Sequence, residues 1–326
     1  MKNHLFFGLL LLGLGCFVLS CETEEMANHD YPYPMDNPPE TSKISLGKSL
    51  FFDKRLSVDG SIACADCHLP QFAFTDRKKV SSGIFGQHTE RNAPSILNSA
   101  FLQTVMFDAH LKSLEMQVIV PIQEPTEMGH NMKTLIPKLR EIPEYQAAAQ
   151  KIFNRDFDAW VLTRSIAAFE RSLISLNSPY DLYMKGQKNA MSKDALAGKA
   201  LFDNTLNCKS CHPAPYFTTF KAENNGLYAV YGKDKGRFRI DLDSSEIGFY
   251  KIPSLRNIAL TYPYMHDGSL NSLTDVLKHY MEGGKHPKGQ SAEVKSFSLS
   301  ITEQKQIIAF LNALTDTSYL KNFNSK

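Results

Sequence analysis

The chain has 326 residues, of which 43% are hydrophobic and 21% charged, and its formal net charge at pH 7 is +2. That composition is typical of a folded globular protein and excludes a disordered or fibrous chain. The near-neutral charge, without a basic run or stripe, excludes the usual kind of nucleic-acid-binding surface, and the length suffices for two domains of ordinary size.

The N-terminal segment has the pattern of an export signal. Its apolar run from Leu5 to Leu19 is too short to span a membrane as a helix, and Cys21 follows closely. The sequence Val-Leu-Ser-Cys at this point resembles the bacterial lipobox, whose cysteine is lipidated; a signal peptide that merely contains a cysteine is the alternative. We therefore predict a lipoprotein-type signal peptide at residues 1–20, a flexible tether at residues 21–40, and a periplasmic protein anchored through Cys21, by preference in the outer membrane.

Two segments further along the chain carry the same CxxCH pattern. They are Cys64-Ala65-Asp66-Cys67-His68 and Cys208-Lys209-Ser210-Cys211-His212. Two thiols three positions apart can each form a thioether with one vinyl group of a haem, and the adjacent histidine can bind the iron. A zinc site or a pair of redox motifs is the alternative, but both pairs carry the extra histidine, and an export signal suits haem attachment outside the cytoplasm. The sequence therefore predicts two covalently attached haems c.

The surroundings of the two motifs repeat. A segment with Leu-Phe precedes each motif, at residues 47–53 and at residues 198–203. Apolar residues recur every three or four positions from Val161 to Leu173 and from Ile307 to Leu314, which predicts helices, and sustained β alternation is absent. We expect an all-α protein with two cytochrome-c-like helical domains, each carrying one haem: an N-terminal domain at 41–185 and a C-terminal domain at 186–326.

Longer stretches resemble the bacterial dihaem cytochrome c peroxidase and MauG family, from about Ile44 to Leu314. These are RNAPS (91–95), AFERSL (168–173), SPYD (178–181), DKGRF (234–238), LRNIALT (255–261) and PYMHDG (263–268). The resemblance implies a peroxidase that reduces hydrogen peroxide at its N-terminal haem and draws electrons through its C-terminal haem. A small c-type cytochrome or cupredoxin is the electron donor that this implies.

The resemblance also implies two catalytic residues. The family's catalytic glutamate falls at Glu127 and its active-site glutamine at Gln117. Heterolytic cleavage of a peroxide bond needs a group that takes a proton from one oxygen and delivers it to the leaving oxygen, and a carboxylate above an open iron site can do both. Glu124 is a nearby competitor, and without the resemblance Glu127 would be interpreted as a solvated loop residue.

Two positions depart from the family pattern. The histidine that caps the resting peroxidatic haem in many members is replaced by Ile84, and His88 lies out of register, so we expect a five-coordinate first haem that needs no reductive activation. The tryptophan that bridges the two haems falls at Phe107, which oxidises less readily. The single tryptophan, Trp160, is expected in the core.

The sixth ligand of the second haem remains open at this stage. Alignment with the family places Tyr280 at this position, with Met281 as the alternative ligand; the remaining candidates are His279, His286 and Met265. Methionine raises the reduction potential relative to harder ligands, so the choice affects function.

The resemblance further implies one calcium ion between the domains. The matching residues are Asn92, Thr261 and Pro263, which offer oxygen ligands suited to a hard cation. The oligomeric state stays open, with a homodimer possible.

Two competing functions remain. A MauG-like oxidase of a protein or small molecule is favoured by Ile84 and Tyr280, whereas Phe107 weakens it. A dihaem electron-transfer protein without catalysis is the other alternative, and the segment around Glu127 argues against it.

Overall fold

A computed structural model describes residues 33–324 of the chain. The predicted signal peptide, the predicted lipidation site Cys21 and the first part of the predicted tether lie outside the described residues. Among residues 33–324, no helix combines the length and apolar character needed to cross a membrane. Asn37 is buried, and its side-chain amide donates hydrogen bonds to Glu115 and to the Arg164 carbonyl. The docked part of the chain therefore begins no later than Asn37, before the end of the predicted tether.

Helices account for most of the regular structure. In the first half they are α1 (Thr41–Phe51), α2 (Cys64–Cys67), α3 (Leu114–Gln123), α4 (Met132–Arg140), α5 (Pro143–Phe153), α6 (Ala159–Arg171) and α7 (Pro179–Met184). In the second half they are α8 (Lys193–Ala200), α9 (Phe238–Asp241), α10 (Leu273–Met281), α11 (Ile301–Asn312) and α12 (Lys321–Asn324). Within the described residues the strands are β1 (Ala222–Glu223) and β2 (Tyr250–Lys251), paired antiparallel with Ala222 opposite Lys251. The prediction of a mainly helical chain is confirmed.

The first hydrophobic core forms where α1 packs against α6. Asp158 caps the start of α6 by accepting a hydrogen bond from the Val161 N–H, and the helix then presents buried apolar residues to α1. The two backbones approach closely at Gly47, where a Cβ would lie 1.8 Å from the Ser165 carbonyl oxygen. This close approach buries Phe51 completely beside the first CxxCH segment.

The second core repeats this arrangement with α8 and α11. Ser300 and Glu303 form the capping box that their spacing predicts and begin α11. In α8, a Cβ at Gly198 would lie 1.9 Å from the Gln306 carbonyl oxygen. Gly47 and Gly198 occupy the same place in the two repeats, so both helix pairs depend on a residue without a side chain.

The two cores exchange chain segments near the predicted domain boundary. Tyr180 of α7 packs in the second core, although residue 180 falls within the predicted N-terminal domain. In return, Tyr319 near the C-terminus is buried in the first core. The predicted domain boundary between residues 185 and 186 therefore stays a prediction. Residues from each side of this boundary pack in the core of the other side.

A buried polar network joins the two halves. The Ser175 N–H donates to Asn98 Oδ1 at 2.8 Å, and the Ser175 hydroxyl donates to Asp316 Oδ2 at 3.1 Å. Asn257 Nδ2 donates to the same hydroxyl at 2.7 Å, and its Oδ1 accepts from the Asp316 N–H at 2.7 Å. Asn98 and Asn257 both have positive φ, 60° and 59°, and each precedes a short 3₁₀ turn. The network therefore joins equivalent corners of the two repeats.

Candidate functional site: two CxxCH segments and the Glu127 loop

The first CxxCH segment begins with the single turn of α2. Cys64 and Cys67 stand at its two ends with free thiols, and the Asp66 carboxylate accepts a hydrogen bond from the Ala63 N–H. Burial raises the pKa of both thiols, that of Cys67 to about 11. No group of three or more histidine, cysteine or acidic side chains able to hold a metal ion occurs among residues 33–324.

His68 directly follows this turn and is oriented by the backbone. Its Nδ1 lies 2.8 Å from the Phe74 carbonyl oxygen. Burial lowers the pKa of the imidazole, so the ring is neutral and donates its proton from Nδ1. The Nε2 lone pair is then available for a metal, which is how a hydrogen bond on one ring nitrogen prepares the other as a ligand.

The second CxxCH segment is built in the same way. Cys208 and Cys211 have free thiols, and burial raises the pKa of Cys208 to about 12. His212 Nδ1 lies 2.9 Å from the Phe217 carbonyl oxygen, and burial lowers the pKa of His212 to about 4. Both histidines are therefore neutral and in the same tautomer, with Nε2 available to bind a metal.

The framework behind each histidine repeats as well. The Ser95 hydroxyl donates to the Ala73 carbonyl at 2.6 Å, and the Ser254 hydroxyl donates to the Tyr216 carbonyl at 2.7 Å. In each repeat the carbonyl of the next residue, Phe74 or Phe217, accepts the hydrogen bond from the histidine. Two free thiols and one oriented imidazole are the donor set of a haem c, so the residues at both places fit this group.

Glu127 lies in a loop that backbone hydrogen bonds hold tightly. The Glu127 N–H donates to the Glu124 carbonyl at 2.9 Å, and the Glu127 carbonyl accepts from the Ile84 N–H at 3.0 Å. Burial, together with the nearby Glu124 charge, raises the pKa of Glu127 to about 7. After burial, the Glu127 charge contributes to the raised pKa values of Cys64 and Cys67, so the carboxyl lies near the first motif.

Glu124 and Gln117 occupy different surroundings from Glu127. Glu124 Oε1 accepts a hydrogen bond from the Thr126 hydroxyl at 3.1 Å, which engages this carboxylate within the loop. Gln117 is half-buried in α3, the helix that ends at Gln123 directly before the loop. Gln117 therefore lies on α3, and Glu127 lies in the loop that directly follows this helix.

Ile84 fills the position where many relatives have a capping histidine. Its side chain is buried, and a Cβ at Gly129 would lie 2.4 Å from Ile84 Cδ1. His88 is exposed in a bridge with Ser82 and lies on the surface, as its register indicates. Ile84 thus packs against the Glu127 loop with a side chain that cannot bind iron.

Tyr280 and Met281 point into different surroundings. The Tyr280 hydroxyl accepts from Asn225 Nδ2 at 3.4 Å, and the same amide lies 3.4 Å from Met265 Sδ. Burial raises the pKa of Tyr280, and the nearby Cys211 and Cys208 contribute to that shift, which places the phenol near the second motif. Met281 instead packs at the edge of the second core.

His279 and His286 have other positions. His279 is buried, and its Nε2 lies 3.1 Å from the Asn225 carbonyl oxygen. His286 is exposed and has positive φ. Tyr280, Met265 and His279 therefore all contact Asn225, and of these three Tyr280 is the one whose pKa the cysteines of the second motif affect.

The predicted calcium residues lie where the two halves meet. The Asn92 N–H donates to the His266 carbonyl at 2.8 Å, and Asn92 Nδ2 donates to the Lys78 carbonyl at 2.7 Å. The Thr261 hydroxyl donates to the Ile258 carbonyl at 3.3 Å. Asn92 Oδ1 and the backbone carbonyls of Thr261 and Pro263 are oxygen donors of the kind that calcium takes.

Sequence reasoning missed the cluster around Phe107. Arg91 lies over the Phe107 ring at 5.8 Å and over the Tyr250 ring at 5.3 Å, and Tyr250 stacks on His266 with ring centroids 3.8 Å apart. Arg91 also makes a bidentate ion pair with Asp234. The repeat contained the signal: Arg91 and Tyr250 each precede a Pro-Ser pair by three positions.

Comparisons with known proteins agree with this geometry. Residues 41–189 match the family model described as di-haem cytochrome c peroxidase. The chain is 35% identical to the methylamine utilization protein MauG of Methylorubrum extorquens, over 87% of this chain and 81% of that protein. It is 32% identical to the cytochrome-c peroxidase IdrP1 of Denitromonas iodatirespirans, over 89% and 85%.

A solved structure gives the same result at the level of the fold. A MauG-like protein associated with microbial copper homeostasis superposes with a TM-score of 0.84 at 32% identity, covering 88% of this chain and 93% of that one. The protein is therefore a dihaem peroxidase by class. The chain belongs to the dihaem cytochrome c peroxidase and MauG family.

Proposed function

We propose that this protein reduces hydrogen peroxide to water at the first CxxCH segment, with electrons that enter through the second. Family membership supports the peroxidase activity. The observation that carries the site assignment is the Glu127 carboxyl, whose pKa is raised to about 7 beside the cysteines of the first motif. A protein that only transfers electrons has no use for a buried carboxyl at this place.

The residues of the first site divide the work. A haem held here by Cys64, Cys67 and His68 Nε2 would supply the iron and the electrons for peroxide reduction. Glu127 would accept a proton from one peroxide oxygen and return it to the leaving oxygen, and Gln117 would hold the peroxide by its amide. A pKa near 7 suits Glu127 to both proton steps at neutral pH.

The second site handles electrons. His212 and Tyr280 would hold its haem, with Met281 and Met265 as the alternative sixth ligands. A small c-type cytochrome or a cupredoxin delivers one electron at a time, and reduction of one peroxide to two waters consumes two electrons and two protons. A calcium ion held by Asn92, Thr261 and Pro263 would stiffen the junction between the halves.

Ile84 supports activity from the fully oxidised state. A histidine at this position would have to leave the iron before peroxide could bind, whereas a buried isoleucine leaves nothing to displace. We therefore propose a periplasmic enzyme that is ready without reductive activation, anchored through Cys21 by preference to the outer membrane. It works as a monomer or a homodimer.

The test is peroxide consumption by haem-loaded protein lacking residues 1–21, with a reduced small cytochrome c as donor. The assay is started from the fully oxidised form and after one-electron reduction. We expect rapid donor oxidation from both forms. Donor oxidation only after reduction would contradict the role of Ile84, and the absence of donor oxidation from both forms would overturn the peroxidase proposal.

A MauG-like oxidase is the second candidate. The Tyr280 phenol, held by Asn225 near the second motif, supports it because an oxygen ligand from this residue would be harder than methionine and would favour the oxidised states of iron. In that case peroxide would oxidise a side chain of another protein or a small molecule, and the reduced cytochrome would be a poor donor. The same assay separates the two candidates.

A further inference from the structure

Four aromatic side chains connect the middle of the molecule to its surface. Tyr250 stacks on His266 at 3.8 Å between ring centroids and lies 6.2 Å from Tyr231. Tyr228 lies 5.9 Å from Tyr231 and 6.4 Å from His266. Two arms therefore join Tyr250 to Tyr228, one through Tyr231 and one through His266. We call these four residues the aromatic relay.

The inner end of the relay lies between the two CxxCH segments. The Lys251 N–H, next to Tyr250, donates to the Phe107 carbonyl at 2.6 Å. Pro253 follows Tyr250 by three positions, and its carbonyl lies at the His212 ring. Arg91 covers the Tyr250 ring. Pro94 follows Arg91 by three positions, and its carbonyl lies at the His68 ring. The relay thus begins at the junction of the two repeats.

The outer end is open to solvent and has a proton acceptor. Tyr228 is 38% exposed, and the neighbouring Val230 is 85% exposed. The Tyr228 hydroxyl donates a hydrogen bond to Asp267 Oδ2 at 2.5 Å. The inner tyrosines lack a comparable acceptor: Tyr231 donates to the Asn224 side chain and Tyr250 to the Asp234 carbonyl. The Asp234 carboxylate near Tyr250 is held in a bidentate ion pair with Arg91, which lowers its pKa to about 2.

This difference in partners sets the direction of the relay. A phenol that loses an electron becomes a strong acid and must lose its proton as well. A carboxylate accepts that proton readily, whereas an amide or peptide oxygen does not. Oxidation is therefore most favourable at Tyr228, and an oxidising equivalent that enters at Tyr250 moves outward.

We propose that the aromatic relay carries one-electron oxidising equivalents from the region between the two CxxCH segments to Tyr228, where a small reductant in solution, a phenol or hydroquinone, is oxidised. This inference rests on the proposed function, because hydrogen peroxide is the oxidant. In each step Tyr228 loses one electron inward and its proton to Asp267. The reductant then gives one electron to Tyr228 and releases its own phenolic proton to solvent, while the proton held by Asp267 moves back to Tyr228. Two such transfers match the two electrons that one peroxide accepts.

The test detects radicals on the holoprotein without a donor. Peroxide is added to the haem-loaded protein in the presence of a spin trap, the tyrosyl signal is recorded by freeze-quench electron paramagnetic resonance, and the trapped residue is located by peptide mass spectrometry. We expect a tyrosyl radical in the parent protein and a trap adduct at Tyr228.

Tyr250→Phe is the decisive variant because it interrupts both arms and leaves Tyr228 in place. We expect it to lose the adduct at Tyr228, while the haem absorption spectrum of the resting protein stays unchanged. Asp267→Asn removes the proton acceptor and should reduce the adduct. Tyr183→Phe is the matched control, since the ring contact of Tyr183 is to Lys188, outside the relay, and it should leave the adduct unchanged.

The outcomes separate this inference from the proposed function. An adduct at Tyr228 that persists in Tyr250→Phe, or peroxide reduction by the parent without any tyrosyl adduct, would overturn the relay and leave the peroxidase intact. A parent protein that neither reduces peroxide with a cytochrome donor nor forms a radical would overturn both. Oxidation of a small hydroquinone that is slowed in Tyr228→Phe, with cytochrome oxidation unaffected, would support the relay.

Discussion

Glu127 is the residue on which the proposed proton chemistry depends. Its carboxyl is pinned in a short loop next to the first motif, and burial raises its pKa to about 7. The negative charge of Glu124 adds to this shift. The two carboxyl groups, three positions apart, therefore differ in their surroundings: Glu127 is buried with a raised pKa, whereas Glu124 accepts hydrogen bonds from Thr126.

The first prediction compares Glu127→Gln with Glu124→Gln. A base must be deprotonated to accept a proton, so kcat/KM for peroxide should rise as the pH increases through about 7. Glu127→Gln should remove this rise and lower kcat/KM by about 10²–10⁴-fold. Glu124→Gln should keep the activity and move the rise to lower pH, since it removes a neighbouring negative charge. Equal losses of kcat/KM in the two variants would contradict the assignment of Glu127 as the carboxyl that exchanges protons with peroxide.

Glu170 gives a prediction about stability. This carboxyl is buried near Cys64, and burial raises its pKa to about 8. A carboxyl whose pKa is higher in the folded state costs stability once it ionises, so the free energy of unfolding should fall as the pH rises from about 4.5 to about 8. Glu170→Gln should reduce this fall. Denaturant unfolding at pH 4 and pH 9 measures it, and a parallel pH dependence in both proteins would contradict the assignment.

Tyr280 is expected to set the potential of the second haem. Methionine ligation raises the potential relative to a harder oxygen ligand, so Tyr280→Met should raise one of the two midpoint potentials in a redox titration. Met281→Leu is the control, because Met281 packs at the edge of the second core. A shift of the midpoint potential in Met281→Leu and none in Tyr280→Met would instead indicate that Met281 is the ligand of the second haem.

At the scale of elements, the two helix pairs explain why each motif is rigid. α1 on α6 and α8 on α11 are closely packed pairs, and each core buries a phenylalanine: Phe51 of α1 contacts His68, and Phe202, in the turn after α8, contacts Phe217. The close approach depends on Gly47 and Gly198, which lie at equivalent places in the repeat. Both positions are helical, so the missing side chain matters for space and not for backbone conformation.

Gly47→Ala and Gly198→Ala should each destabilise the protein. The added Cβ would lie less than 2 Å from a backbone carbonyl oxygen of the partner helix, and overpacking of this kind costs about 1–3 kcal/mol or more. Gly232→Ala is the control, because a Cβ there meets nothing within 4 Å. Thermal unfolding of the haem-loaded variants measures the difference, and a Gly47→Ala protein as stable as Gly232→Ala would contradict the packing.

At the scale of the whole molecule, the buried network of Asn98, Ser175, Asn257 and Asp316 couples the two halves. Asn257 has positive φ and two hydrogen bonds across the junction. Its replacement tests how much of the coupling comes from the side chain and how much from the backbone conformation.

Asn257→Ala should cost more stability than Asn257→Gly. Both variants lose the two hydrogen bonds and leave buried partners unpaired, at about 1–3 kcal/mol for each group. Alanine adds about 1–2 kcal/mol because it resists the left-handed conformation, whereas glycine adopts it freely. Unfolding followed separately by haem absorbance and by far-ultraviolet circular dichroism also reports whether the two halves of the molecule unfold together. We expect the two transitions to coincide in the parent and to separate in both variants.

Local sequence alone was sufficient for much of this protein. The CxxCH spacing, the capping box at Ser300 and Glu303, the helical periodicity and the Leu-Phe repeat depend on residues close in the chain, so their structural consequences follow without knowledge of the fold. The family resemblance supplied Glu127, Gln117 and Tyr280 as site residues, and these roles remain predictions. His68 and His212 were predicted as haem ligands from the cysteines that precede them, and these roles also remain predictions.

Only the tertiary structure decided which distant residues meet. Tyr250 and His266 lie sixteen positions apart and Asn225 and Tyr280 fifty-five, and nothing local in the sequence specifies their contacts. The raised pKa of Glu127 and the close helix packing at Gly47 likewise arise from burial, which depends on the assembled core. The spacing of residues along the chain therefore predicted where haem can attach, whereas packing decided which buried carboxyl and aromatic groups lie near one another, because those contacts join residues far apart in the sequence.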